Sequence, residues 1–255
     1  MNASPTPRAL AVIPARYDSA RFPGKVLADL GGKTMIERVV ERARGARAVE
    51  RVLVATDDDR VAAAVAAFGG EAVMTRRDHA SGTERLAEVA ARIDAPIFVN
   101  VQGDEPLIEP AAIDLAVETL AADPAVAIAT LATPILEADP LGDPNVVKVV
   151  MDFDSNALYF SRAPIPWLRD TSGAQTPRYF KHVGLYVYRR DALLEFPTLP
   201  PGELERVEQL EQLRWLENGY PIRVAITECD SIGVDVPEDL ARAAQRIAAE
   251  QNRPR

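Results

Sequence analysis

The sequence contains very little cysteine and histidine. Its 255 residues include one cysteine, Cys229, and two histidines, His79 and His182. A single cysteine cannot form an internal disulfide, and this is the usage expected in a reducing cytoplasm. Neither CxxC spacing nor a histidine-rich tract is present, which argues against the common structural zinc sites. GxSxG is also missing and Cys229 has no motif around it, so nucleophilic catalysis has little support.

Long apolar runs and an excess of positive charge are also lacking. No apolar run approaches the roughly 18 residues that suggest a membrane span, and MNASPTPRAL lacks the apolar segment of a signal peptide. Acidic residues number 38 and basic residues 29, giving a net charge of −9. Proteins that bind duplex nucleic acid usually present a basic face. We therefore expect a cytoplasmic protein that neither enters a membrane nor binds nucleic acid.

The first half of the chain alternates apolar runs with amphipathic segments. This pattern predicts strands at 9–13, 51–57, 71–75 and 96–102, and helices at 34–46, 60–70 and 83–93. Such alternation predicts an α/β fold with a mostly parallel sheet flanked by helices on both faces. Ligands of such sheets bind outside the carboxyl ends of the strands, where the polar motifs of this sequence occur.

The second half has more strand-like and fewer helix-like segments. Strands are predicted at 125–135, 145–152, 156–162 and 181–190, and they suggest a mixed-sheet extension that covers the crevice. Segment 167–178 is the best candidate for a mobile loop. Segment 203–219 is expected to form one amphipathic helix, and 237–251 the last helix. No linker is evident, so residues 1–255 are expected to form one domain, with halves at about 8–125 and 126–250.

Positive charge is concentrated in the loop IPARYDSARFPGK, residues 13–25, which follows the first predicted strand. Arg16, Arg21 and Lys25 lie around Gly24 in an otherwise acidic chain. Backbone N–H groups and cations between a strand and a helix favour phosphate binding. The loop matches neither GxxxxGK[ST] nor GxGxxG, which excludes the usual P-loop and dinucleotide fingerprints. The alternative is a solvated basic loop.

Carboxylates follow two other predicted strands. Asp104 and Glu105 occur in VQGDEP, and Asp235 occurs in IGVDVPED. A carboxylate at a strand end that faces phosphates commonly holds Mg²⁺. The alternative for the first pair is capping of the helix that begins near residue 110. Asp235 lies outside the cap that Pro237 introduces, and the sequence leaves metal binding and a plain loop position open for it.

Segment KHVGLYVY places four residues on one strand face. Because strand side chains alternate, His182, Gly184, Tyr186 and Tyr188 point the same way. This face could recognise a hydroxylated acid or could simply pack in the core. Arg162, at the end of another predicted strand, could bind a carboxylate with two parallel hydrogen bonds.

Two further groups of polar residues have open interpretations. In the predicted helix at 203–219, the helical spacing puts three side chains on one face, which is either solvated or functional: Glu208, Glu211 and Gln212. In MTRRDHASGTER, several side chains either cap a helix or line a base or ribose pocket: Arg76, Arg77, Ser81, Gly82, Thr83 and Arg85. The sequence assigns no role to His79.

Taken together, these motifs are similar to those of a known enzyme family. The chain resembles the 3-deoxy-manno-octulosonate cytidylyltransferases, or CMP-Kdo synthetases, over roughly residues 8 to 250. The resemblance depends on motifs that occur in the family order: PARYDSARFPGK, MTRRDHASGTERLAEV, FVNVQGDEP, NVVKVV, ALYFSRAPIPW, HVGLYVYR, LEQLRWLENG and GVDVPEDL. SRAPIPW, HVGLYVYR and EQLR are the most specific of these.

The resemblance implies a nucleotide-diphospho-sugar transferase-like fold, usually a homodimer, that transfers CMP from CTP to the anomeric hydroxyl of 3-deoxy-D-manno-octulosonate (Kdo). Pyrophosphate is released, Mg²⁺ is required, and the product supplies lipopolysaccharide synthesis. The first half of the chain would bind the nucleotide, and the second half would bind the sugar and form the dimer. Cytidylyltransferases for 8-amino-Kdo or a sialic acid are alternatives, as is a non-catalytic nucleotide-binding protein.

The resemblance also implies roles for individual residues. Arg16 and Lys25 would hold the triphosphate beside Ala15. The cytidine would be surrounded by Arg76, Ser81, Gly82 and Gln102. Mg²⁺ would be bound by Asp104 and Asp235. The sugar acid would be bound by Arg162, His182, Tyr186, Glu211 and Gln212. Arg16, Lys25, Asp104 and Asp235 would act in catalysis, mainly through charge and positioning.

Overall fold

A computed structural model describes residues 8–18, 22–136, 139–170, 178–229, 231 and 233–251. Its first half contains, in chain order, β1 (Ala9–Pro14), α1 (Met35–Arg44), β2 (Val49–Thr56), α2 (Asp59–Ala67), β3 (Ala72–Met74), α3 (Gly82–Arg92), β4 (Ile97–Asn100) and α4 (Pro110–Ala122). The predicted alternation of strands and helices is confirmed. Arg21 and most of the candidate mobile loop, 171–177, lie outside the described residues.

The second half contains β5 (Ile128–Ile135), β6 (Lys148–Met151), β7 (Ala157–Ser161), β8 (Tyr179–Arg189), α5 (Arg190–Glu195), α6 (Glu203–Glu208), α7 (Gln212–Glu217), β9 (Ile222–Ile226) and α8 (Pro237–Gln251). Short 3₁₀ turns occur at Lys25–Leu27, Asp139–Gly142 and Phe196–Thr198. No helix in the described ranges is long and apolar enough to cross a membrane.

One sheet connects the two halves. Its strand order is β3-β2-β1-β4-β8-β5-β9, and the hairpin formed by β6 and β7 joins at β8. Strands β3, β2, β1 and β4 are mutually parallel, whereas β8 is antiparallel to both β4 and β5. This confirms the predicted mostly parallel α/β sheet with a mixed extension.

The sheet is covered on both faces, which explains the continuous apolar character of β1. Ala9, Ala11 and Ile13 pack in one core with α1, α4 and α8, while Leu10 and Val12 pack in the other core with α3. A strand buried on both faces has no need of polar alternation.

Side-chain caps fix where the helices near the sheet edge begin. Thr34 accepts a hydrogen bond from the backbone N–H of Glu37, and Ser81 accepts one from that of Glu84, at 3.3 and 3.2 Å. These caps satisfy N–H groups that have no partner within the helix. The chain therefore leaves the carboxyl end of each strand in a defined direction.

The single helix predicted at 203–219 is wrong. Helix α6 ends at Glu208, and Gln209 has φ +53°, a left-handed conformation that interrupts the helix before α7. Glu208 therefore does not share a helix face with Glu211 and Gln212. Hydrogen bonds from Arg162, the residue after β7, to the carbonyl oxygens of Glu208 and Gln209 stabilise this turn.

Candidate active site

Two neighbouring cavities lie at the carboxyl ends of the central strands. Cavity A, of about 280 Å³, is lined by residues that include Arg16, Lys25, Ser81, Gly82, Gln102 and Asp104. Cavity B, of about 310 Å³, is lined by residues that include His182, Tyr186, Tyr188, Glu211, Gln212 and Gln102. Gln102 follows β4 and lines both cavities, so the two spaces are adjacent.

The turn after β4 brings the two edges of cavity A together. A Cβ atom at Gly103 would lie only 2.8 Å from the carbonyl oxygen of Pro14, at the end of β1. Glycine is therefore required for this close approach of the two backbones. The approach places Asp104 opposite the loop that carries Arg16 and Lys25.

Lys25 connects the two carboxylates that the sequence singles out. Its Nζ atom lies 2.7 Å from Asp104 Oδ2 and 3.1 Å from Asp235 Oδ1, and it also donates to the carbonyl oxygen of Val234 at 3.0 Å. Burial disfavours the charged amine, but the two carboxylates together outweigh burial and raise the pKa of Lys25. The structure thus brings together residues separated by about 80 and 210 positions in the chain.

The same pair of carboxylates suits a magnesium ion. No group of three or more histidine, cysteine, aspartate or glutamate residues forms a metal cluster within the described ranges. Mg²⁺ commonly takes one or two protein carboxylates and completes its shell with waters and substrate phosphates. Asp104 and Asp235 could supply the two carboxylates of that pattern.

A buried contact that the sequence did not predict joins the segments carrying these aspartates. The Ser231 hydroxyl donates to Glu105 Oε2, and the backbone N–H of Val234 donates to the carbonyl oxygen of Asp104 at 2.8 Å. Burial raises the pKa of Glu105 to about 7, although the Ser231 hydrogen bond opposes this shift. Helix α4 begins after Glu109, so Glu105 is not its cap. No sequence signal links Glu105 to a serine 126 residues away.

Arg16 also occupies cavity A, where its guanidinium donates to the carbonyl oxygen of His79. The ring of His79 is buried and contacts Glu88, which gives that histidine a structural setting. Ala15 is buried, and its backbone N–H donates to the carbonyl oxygen of Ala55 at 2.9 Å. Ala15 therefore extends the sheet beside the cavity.

The predicted cytidine-binding residues separate into two groups. Ser81, Gly82 and Gln102 line cavity A. Arg76 has a side chain 67% exposed, lies 3.5 Å from Asp78 and 3.8 Å from Glu88, and is not among the described residues that line cavity A. The structure therefore does not bring Arg76 together with the other three.

Cavity B contains the predicted face of β8. His182, Gly184, Tyr186 and Tyr188 all line it, as strand alternation requires. His182 Nε2 lies 3.0 Å from Thr130 Oγ1, and the His182 ring packs edge-on against Phe160. Burial lowers the pKa of His182 to about 3, so its imidazole is neutral at physiological pH.

Two buried polar atoms in cavity B have no hydrogen-bond partner in the described part of the chain: Tyr186 Oη and Glu211 Oε2. The other oxygen of Glu211 accepts a hydrogen bond from Thr83. Burial raises the pKa values of both Tyr186 and Glu211, which favours their protonated forms. Unpaired polar atoms in a cavity are costly unless a ligand supplies hydrogen bonds, so this cavity suits a molecule rich in hydroxyl groups.

Arg162 lies outside the set that forms cavity B. Its guanidinium donates to the carbonyl oxygens of Glu208, Pro144 and Gln209 at 2.7, 2.9 and 3.3 Å. The Glu208 carboxylate in turn accepts hydrogen bonds from the Ser161 hydroxyl and the Arg162 backbone N–H. Arg162 thus holds the left-handed turn that precedes Glu211, and its predicted binding of the sugar carboxylate stays a prediction.

The neutral His182 predicts a pH-dependent stability. Its pKa is depressed in the folded state, so the unfolded chain binds an extra proton at mildly acid pH and stability falls as pH drops below about 6.5. Between pH 7 and pH 5 this residue should account for about 2 kcal/mol of lost unfolding free energy. Urea unfolding of wild type and His182→Gln at pH 7 and pH 5 measures this loss of unfolding free energy. Equal pH dependence in the two proteins would contradict a buried neutral imidazole.

Comparison with known proteins agrees with the geometry. The family model described as Cytidylyltransferase matches residues 10–226. Proteins named 3-deoxy-manno-octulosonate cytidylyltransferase from Syntrophotalea carbinolica and Geobacter sulfurreducens are 60% and 56% identical to this chain; each alignment covers 93% of the chain and 97% and 98% of the relatives.

A solved structure described as CMP:2-keto-3-deoxy-manno-octonic acid synthetase complexed with CTP has the same fold. It matches with a TM-score of 0.90 at 47% identity, covering 95% of this chain and 99% of the other. The resemblance predicted from the motifs is confirmed over nearly the whole chain. The protein therefore belongs to the cytidylyltransferase family, among its 3-deoxy-manno-octulosonate cytidylyltransferases.

Proposed function

We propose that the protein transfers CMP from CTP to the anomeric hydroxyl of Kdo, giving CMP-Kdo and pyrophosphate for lipopolysaccharide synthesis. The observation that carries this proposal is the adjacency of the two cavities through Gln102. A charged cavity for a nucleoside triphosphate lies beside a cavity with unpaired polar groups for a sugar acid. The relatives' names and the CTP-bound structure give the nucleotide and the sugar.

The chemistry explains the concentration of positive charge. The anomeric oxygen of Kdo attacks the α-phosphorus of CTP, the bond from that phosphorus to the bridging oxygen breaks, and the hydroxyl proton passes to solvent. Pyrophosphate departs with the electron pair of the broken bond. Arg16 and Lys25 stabilise the charge that develops on pyrophosphate, and little else is required of the protein beyond positioning.

Asp104 and Asp235 would hold Mg²⁺ in this scheme. A bound Mg²⁺ would withdraw charge from the phosphate and lower the pKa of the sugar hydroxyl. Lys25 holds the two carboxylates within its own hydrogen-bonding distance, at 2.7 and 3.1 Å, and Asp104 lines cavity A. The buried Glu105–Ser231 contact fixes the two segments that carry them.

The sugar would enter cavity B. Tyr186 Oη and Glu211 Oε2 are each buried polar atoms that can form a hydrogen bond with a sugar hydroxyl. His182, neutral and held by Thr130, and Gln212 complete the polar lining. The site offers no obvious discrimination between the terminal hydroxyl of Kdo and the amine of 8-amino-Kdo, so both belong in the first test.

The remaining features of the proposal concern the whole protein. Nucleotide binding is assigned to about residues 8–125, and sugar binding and dimer formation to about 126–250. A homodimer is supported by exposed apolar side chains on the β6–β7 hairpin, Phe153 and Leu158, and at the end of β9, Ile226. The reaction is placed in the cytoplasm because a chain with one cysteine cannot form an internal disulfide, the usage expected in a reducing compartment.

The deciding experiment is release of pyrophosphate from CTP in the presence of Mg²⁺, with Kdo, 8-amino-Kdo and a sialic acid offered separately. We expect release with Kdo, no release with the sialic acid, and none when Mg²⁺ is chelated. Release only with another acid would mean that the sugar assigned to cavity B is wrong, whereas the proposed transfer of CMP would stand. Binding of CTP without release for any acid would support a non-catalytic nucleotide-binding protein.

A further inference from the structure

Arg85 is a buried cation that the scheme above does not use. It lies in the first part of α3, its side chain is fully buried, and it lines cavity A. Its Nη1 atom donates to the Thr75 hydroxyl. Its Nε and Nη2 atoms have no hydrogen-bond partner in the described part of the chain.

The geometry of the unpaired atoms matters. In a guanidinium group, Nε and Nη2 lie on one edge and present two parallel N–H bonds. This edge matches planar pairs of acceptor atoms, such as two oxygens of a phosphate or adjacent acceptors of a base. A buried charged group with two unused donors is costly, so such an open edge is expected where a ligand supplies the acceptors.

The neighbouring protein groups do not satisfy this edge. Asp57 Oδ1 lies 3.5 Å from Arg85 Nη2, near enough for attraction but without a hydrogen bond. Burial has the largest effect on Arg85 and lowers its pKa; the attraction of Asp57 opposes this shift, and the repulsion of Arg16, a second cation of cavity A, adds to it. Two arginines that line the same cavity favour an anionic or acceptor-rich ligand.

We infer that Arg85 is a further nucleotide-binding residue, whose Nε and Nη2 atoms donate two parallel hydrogen bonds to paired acceptors of CTP. The inference rests on the proposed function, because it assumes that CTP occupies cavity A. The acceptors are either phosphate oxygens or the O2 and N3 atoms of cytosine. Cytosine, unlike uracil, presents an acceptor at N3, so the second source would also make Arg85 select CTP over UTP.

The test is calorimetric titration of CTP, UTP and inorganic tripolyphosphate, without metal, into wild type and Arg85→Gln. We expect CTP to bind at least about tenfold more weakly to the variant, the loss typical of a bidentate contact. If the affinity for tripolyphosphate falls by a similar factor, the Nε and Nη2 atoms of Arg85 contact the phosphates. If tripolyphosphate binding is unchanged and the variant no longer prefers CTP over UTP, the Nε and Nη2 atoms of Arg85 contact the base.

Controls separate binding from structure. Arg44→Gln alters an arginine that donates to the carbonyl oxygen of Gly69 and is not among the described residues that line cavity A or cavity B, so this variant should bind CTP as wild type does. Arg85→Lys keeps the charge but loses the two parallel N–H donors. This variant replaces Arg85→Gln in the titrations if Arg85→Gln fails to fold. CTP affinity within twofold of wild type in a folded Arg85 variant overturns the inference.

The neighbouring Asp57 gives a second check. Asp57→Asn removes a negative charge beside the Arg85 guanidinium and should leave CTP binding unchanged or stronger. A loss equal to that of Arg85→Gln would show that Arg85 acts through Asp57 and would overturn direct contact. Failure of wild type to bind CTP at all would instead overturn the proposed function, together with everything that depends on it.

Discussion

Asp104→Asn and Asp235→Asn are each expected to lower kcat for CMP-Kdo formation by at least about 100-fold, while the protein stays folded. Asparagine keeps the size of the side chain but removes the anionic oxygens that a hard cation such as Mg²⁺ requires. Each change also leaves Lys25 with one carboxylate partner in place of two. Steady-state kinetics across a range of Mg²⁺ concentrations measures the loss.

A second readout distinguishes metal binding from general damage. Binding of Mn²⁺, followed by its electron paramagnetic resonance signal, should weaken in both variants, with no comparable change in Asp94→Asn. The Asp94 side chain is 94% exposed and lies outside both cavities, which makes it a matched control. Wild-type turnover at saturating Mg²⁺ in either variant would remove that aspartate from the metal site.

Strand β1 and the helices α1 and α3 show why so much of the fold was predictable. Each depends on residues near one another in sequence: an apolar run for a strand buried on both faces, and apolar residues at helical spacing for each helix. The carboxyl ends of parallel strands meet at one sheet edge, so motifs at those ends were bound to converge. Local pattern and topology together were sufficient for these features.

The break at Gln209 shows where local pattern was not enough. The 203–219 segment has apolar residues at helical spacing throughout, and Gln209 carries no breaker signal such as glycine or proline. The left-handed turn is stabilised by Arg162, which follows β7 and donates to the carbonyl oxygens of both Glu208 and Gln209. A tertiary contact therefore overrides helix propensity.

The candidate site divides in the same way. Strand alternation predicted which β8 side chains share cavity B, because every second side chain of a strand points to the same face of the sheet. The unpaired edge of Arg85 and the Glu105–Ser231 contact depend on which buried donors find acceptors after folding. Arg162 shows this most clearly. Its position at a strand end predicts a residue that binds a carboxylate, and in the structure its guanidinium donates to three backbone carbonyl oxygens of the protein.

Lys148→Met is expected to lower the unfolding free energy by about 2 to 4 kcal/mol. Lys148 is 0% exposed, and its ammonium donates to the carbonyl oxygens of Asp143, Val146 and Arg162 at 3.0, 2.6 and 2.5 Å. Methionine fills the same space but leaves these three acceptors without a donor. Urea unfolding measures the loss, and Lys33→Met, which alters an exposed ion pair, should change stability by less than about 0.5 kcal/mol.

The same substitution should reach the sugar cavity, because Lys148 is the first member of a chain of contacts. Lys148 holds the Arg162 backbone, Arg162 holds the turn at Glu208 and Gln209, and that turn places Glu211 against cavity B. We therefore expect KM for Kdo to rise several-fold more than KM for CTP in Lys148→Met. Equal rises in both KM values would mean that the lysine only supports the fold. An unequal rise would mean that the left-handed turn, through its backbone, sets the position of the residues that bind the sugar.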